Sequence, residues 1–130
     1  MAYILETQRL FEDLRQVAAQ LAGLLVLSAA GSKSAGPHHP MIGSAGHFYH
    51  EAVESLHRAR PTERAGAHYR HLLKAAESLG TALAAARTRP ALEPILISVK
   101  AAYVELQHAS RQLPGFEMVA FDQACCGRNA

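Results

Sequence analysis

An all-α protein, folded as an antiparallel four-helix bundle, is what this sequence predicts, and three observations lead there. Alanine and leucine dominate over β-branched and aromatic residues, a balance that favours helix over strand. Apolar or small residues recur three and four positions apart for several turns at a time, which is the period of a helix face. Proline- and glycine-bearing breaks divide the chain into four such segments, and short connections place successive helices antiparallel. At 130 residues the chain, residues 1–130, is one domain that buries about two thirds of its unfolded surface.

The first helix is expected over residues 4–30. Leu10, Leu14, Val17, Leu21 and Leu24, widened by Phe11, Ala18 and Leu25, make the broad stripe of a core-facing helix. Gly31 and Ser32 end it, and GSKSAGPHHP reads as a loop. Ile42, Ala45, Tyr49, Ala52, Leu56 and Ala59 define the second helix. Pro40 suits its first position, whereas Gly43 and Gly46 argue for a later or frayed start. Arg60-Pro61 interrupts the chain, and Thr62 is placed to cap a third helix whose first turn carries Glu63. Its stripe is Ala65, Tyr69, Leu72, Ala76, Leu79, Leu83 and Ala86, the cleanest alternation in the chain. RTRPALEP supplies the next break, with Pro90 and Pro94 tolerated only in or before a first turn. The fourth series runs Leu92, Ile95, Val99, Ala102, Leu106, Ala109 and Leu113, and Pro114-Gly115 stops it. The tail carries Phe116, Met118, Val119 and Phe121, apolar enough to be expected to pack back on the bundle.

Composition narrows the function classes. The net charge is +2, from 13 Lys and Arg against 11 Asp and Glu, and the basic residues are spread apart from a modest concentration at residues 58–74. Nucleic-acid binding wants a clustered basic stripe, so that class is not expected. LAGLLVL, residues 21–27, is far shorter than a membrane span, and the first residues lack a basic region before an apolar run. A cytoplasmic location without membrane contact is the expectation. Cys125 and Cys126 are vicinal, a spacing that suits neither a disulfide framework nor zinc.

Three groups of residues invite a chemical reading. HFYHEAVESLH contains Glu54 and His57, and ELQH contains Glu105 and His108. This Glu-x-x-His spacing resembles that of ferritin-like di-iron bundles, where it implies two metal ligands on one core-facing helix surface. At about 100° per residue, however, both pairs fall well away from the apolar stripe of their helices, and mid-helix Glu77 also points outward. An internal metal centre is therefore not expected. His47, His50, Glu54 and His57 do share one outer face of helix 2 at spacings that let imidazoles share a divalent ion. HLLKAAESLG, residues 71–80, resembles the phosphoacceptor helix of histidine phosphotransfer domains. That resemblance implies a four-helix bundle with His71 as phosphoacceptor and Lys74 beside it. It departs where the family has a small glycine and this chain has Ala75, and in the phase of the core stripe. Read from the helix alone, His68 and His71 sit at the flank of an amphipathic surface.

No nucleophile elbow, phosphate-cradling glycine loop or acid pair on a core face is present in the sequence, so no enzymatic activity, catalytic residue, metal or other cofactor is expected. One feature does call for a partner. Helix 1 is apolar or small on its back face as well, at Ala19, Ala22, Gly23 and Val26, and a helix apolar all round is buried all round. Either the returning tail or a second subunit covers that face. The reading is a helical interaction or regulatory protein, homodimeric through these four residues. The alternatives are phosphotransfer at His71 and divalent-metal binding on the His47, His50, Glu54 and His57 face.

Overall fold

The apolar series become four helices in a computed structural model that describes residues 2–31, 39–88 and 92–113. These are α1 (Ala2–Ala29), α2 (Pro40–Arg58), α3 (Gly66–Thr88) and α4 (Leu92–Gln112), with one 3-10 turn, Glu63–Ala65, leading into α3. Among the described residues there is no strand, and the fold is all-α. The expected tail packing, with Cys125 and Cys126, lies outside the described residues.

Local chemistry sets the helix ends. Gly31 takes φ +79°, a conformation that costs little only without a Cβ, and it closes α1 as its N–H bonds to the Ser28 carbonyl at 3.0 Å. At the start of α2, His39 Nδ1 accepts from the Met41 N–H at 3.0 Å, and Pro40 occupies the first turn, where its missing N–H costs nothing. Helix 2 therefore begins at Pro40 despite Gly43 and Gly46. Thr62 does not cap with its side chain; the chain enters α3 through the tighter turn instead, with the Ala65 N–H on the Thr62 carbonyl at 3.0 Å.

Each helix buries the face its sequence foretells. Leu10, Phe11, Leu14, Val17, Ala18, Leu21 and Leu24 of α1 meet Ile42, Ala45, Ala52 and Leu56 of α2 in one core. Leu72, Leu79 and Leu83 of α3 and Ile95, Val99 and Leu106 of α4 complete it. Each large side chain buried there contributes roughly 1.5–3 kcal/mol relative to exposure. The alanines Ala75, Ala76, Ala82 and Ala86 of α3, with Ala102 and Ala109 of α4, are buried too, and small side chains allow helix backbones to approach closely.

The antiparallel order gives the bundle two unlike ends. At one end Tyr3 of α1, Ala59 after α2, Ala65 before α3 and Leu113 after α4 come together with Tyr69. Three hydrogen bonds knit this end. Tyr69 Oη donates to the Leu56 carbonyl at 2.8 Å, in the last turn of α2. Thr7 Oγ1 donates to the Tyr3 carbonyl at 2.7 Å, and Tyr3 Oη lies 2.8 Å from His68 Nδ1. Thr7 and His68 are fully buried. His68 is thus not at a solvated flank: it turns inward, where Tyr3 from α1 meets it. At the opposite end the second half of α1 and the first half of α4 leave an apolar cleft.

Candidate functional site

Two features stand out from the packed core, and α4 contributes to both. Toward its C-terminal half, Glu105 and His108 stand one turn apart and meet His71 of α3 across the helix seam. Glu105 Oε2 lies 2.6 Å from His71 Nδ1 and 4.0 Å from His108 Nδ1. The two imidazole rings are 5.0 Å apart at 63°. Among the described residues, this is the group in which three potential ligand atoms lie within 4.8 Å of one another. The side chains of His71 and Glu105 keep 23% and 21% of their exposure and that of His108 keeps 45%, so the cluster forms a rim that water can reach.

Glu105 and His108 lie off the core stripe of α4, as their phase predicts. Phase is a property of one helix alone, however, and a residue off its stripe can still border a neighbouring helix. Two fragments that the sequence presents separately, HLLKAAESLG and ELQH, therefore meet in one place. The Glu105 carboxylate lies against Nδ1 of the His71 ring, and Lys74 is exposed on the helix surface.

The His-rich face of α2 lies where its phase puts it. His47, His50, Glu54 and His57 are all exposed. His50 Nε2 and Glu54 Oε1 are 3.3 Å apart, while Arg58 takes the other Glu54 oxygen at 3.6 Å. Opposite this helix, burial raises the carboxyl of Asp13 on α1, with Arg9 opposing the shift and Glu51 adding to it. Glu77 on α3 is exposed, as expected.

The second feature is the cleft, about 600 Å³, lined by Ala22, Leu25, Val26 and Ala29 of α1 and by Leu96 and Val99 of α4, with Glu93 at its edge. Of the four residues singled out on the back of α1, Ala22 and Val26 line this cleft. Ala19 is exposed on the same helix. Gly23 faces the other way, toward α2: a Cβ built there would sit 3.5 Å from Met41 Sδ. The α4 side of the cleft has its own signal in the sequence. PILISV supplies Leu96 and Ile97 beside the core positions Ile95 and Val99, and both are exposed. The first half of α4 is apolar beyond its core stripe, as the second half of α1 is.

No protein-family model matches the chain, and no curated protein or solved structure is significantly similar to it. Among the described residues no helix is long and apolar enough to cross a membrane. The functional reading therefore rests on the geometry of these two features.

Proposed function

We propose that the protein is a non-enzymatic helical interaction module that pairs with a second copy of itself through the α1 and α4 face. The observation that carries this reading is the apolar cleft, where Val26 retains 68% and Leu96 41% of their exposure. Contiguous apolar surface of this kind marks interaction sites. The described chain ends at the far end of the bundle from it. Leu96 lies 17 residues, or about 26 Å, along α4 from Leu113. Extended chain spans at most about 3.5 Å per residue, so Phe116 and Met118 fall short of the cleft. The connection at residues 32–38, SKSAGPH, starts nearer but offers little apolar surface.

Charge supports a second copy as the occupant. Glu93 and Lys100 are exposed seven positions apart on one face of α4, with Leu96 and Ile97 midway between them. A two-fold axis crossing α4 at that midpoint pairs Leu96 with the partner's Ile97 and, on both sides of the axis, Glu93 with the partner's Lys100. The same patch then serves both subunits, as an isologous interface requires. The apolar centre supplies the driving force, and the rim charges select antiparallel register.

Sedimentation at about 10–100 µM, a range in which dimers of standard interface size persist, tests this. Wild type is expected as a dimer, Val26→Asp as a monomer, and the single reversals Glu93→Lys and Lys100→Glu as weakened dimers. The double reversal should restore association, since each new lysine meets a new glutamate. A monomeric wild type overturns the proposal, and a double reversal as weak as the singles overturns the two-fold arrangement.

A further inference from the structure

We infer that His71, Glu105 and His108 form a binding site for one divalent transition-metal ion of the zinc type, set on the rim between α3 and α4. The site is independent of self-association, since the α1 and α4 cleft lies toward the other end of the bundle. Its donor set is two imidazoles and one carboxylate, which suits Zn²⁺, Co²⁺ or Ni²⁺ rather than Mg²⁺ or Ca²⁺, whose sites are built from oxygen. Ligand atoms around a tetrahedral zinc at about 2.0–2.2 Å stand roughly 3.4 Å apart. Glu105 Oε2 stands 2.6 Å from His71 Nδ1 and 4.0 Å from His108 Nδ1, one on each side of that value. A small rotation of the more exposed His108 side chain and a slight widening of the His71 contact bring the three donors around one ion.

Two features of the fold favour the site. Glu105 and His108 are one turn apart on a single helix, so their relative position is set by the backbone of α4, and α3 and α4 share the most extensive helix contact in the bundle. The third ligand, His71, is already held against the carboxylate, which limits the entropy lost on binding. Three protein ligands leave a fourth position for water, and the exposure of His108 leaves a path by which the ion enters.

The test is titration of tag-free protein with Co²⁺, read as visible absorption, with Zn²⁺ affinity obtained by competition. One equivalent is expected to bind with the absorption strength of a four-coordinate site. Affinity should fall more than about tenfold in His108→Ala and in Glu105→Gln, and remain unchanged in His50→Ala/His57→Ala. Melting the zinc-loaded protein with and without chelator gives a second readout. The chelator should lower the melting temperature of the wild type and leave that of His108→Ala unchanged, because an ion bound only to the native state adds stability by mass action. His108 is exposed, so His108→Ala keeps the fold even if a change at Glu105 disturbs the seam. Absence of saturable binding overturns the inference. So does binding that survives His108→Ala and is lost in His50→Ala/His57→Ala, which assigns the ion to α2.

Discussion

The two ends of this bundle are built from the same four helices and differ in how they finish. At the end formed by Tyr3, Ala59, Ala65 and Leu113, polar groups link the helices: Tyr69 closes on the Leu56 carbonyl and Tyr3 on His68. At the other end α1 and α4 present Val26 and Leu96 around an apolar cleft, and Ile97 is exposed on the same stretch of α4. The contrast runs along α4 itself, whose second half sets Leu106 in the core and whose first half leaves Leu96 and Ile97 outside it. A directional hydrogen bond needs one partner at one distance, so the polar end specifies a single arrangement within the chain. Apolar surface has no such requirement and accepts any complementary surface, which leaves the other end available to a partner.

The largest effect expected from this contrast is a pair of truncations on α4. Leu106→Ala removes a side chain with no exposure and leaves a cavity, so it should cost about 2–5 kcal/mol in urea unfolding. Leu96→Ala should cost less than about 1 kcal/mol in dilute protein while weakening self-association. Equal losses at both positions would erase the distinction between core and interface on this helix.

The closed end should also be sensitive to acid. Burial pushes the His68 imidazole from its ordinary 6.5 down to about 4, and the neighbouring His71 adds to the shift. The unfolded chain therefore takes up a proton between those two values that the folded chain refuses. Stability is fully present above pH 6.5 and falls as the pH drops toward 4, by at most about 3 kcal/mol from this group. His68→Gln keeps a hydrogen-bonding side chain beside Tyr3 but cannot titrate, so its stability between pH 7 and 4.5 should decline less steeply than that of the wild type. Chemical denaturation at a series of pH values measures the difference.

The smallest effect separates the two sides of α1. Gly23→Ala adds a methyl at ordinary contact distance from Met41 and replaces a weak helix former, so it should stabilise the fold by up to about 1 kcal/mol. Because Gly23 faces α2 and not the cleft, sedimentation of this variant should match that of the wild type. Impaired association would restore Gly23 to the interface together with Ala22 and Val26.

The sequence by itself determined the four helices and their buried faces. Period and punctuation are local: Leu10, Leu14, Val17, Leu21 and Leu24 share a face whatever the neighbours do, and Gly31, Pro40 and Pro61 limit helices through their own backbone chemistry. The outward placement of His47, His50, Glu54 and His57 was legible for the same reason. The apolar surplus on α1 was legible as well, and the matching one on α4 was written in PILISV. Tertiary structure alone decided which flanks face each other. His71 is 34 positions from Glu105, and His68 is 65 from Tyr3. The rotation and axial offset of one helix against another are set by how the whole core packs, to which each helix contributes only a part. A stripe read along one helix locates its own core face, and a site assembled from the edges of two appears only when both are in place.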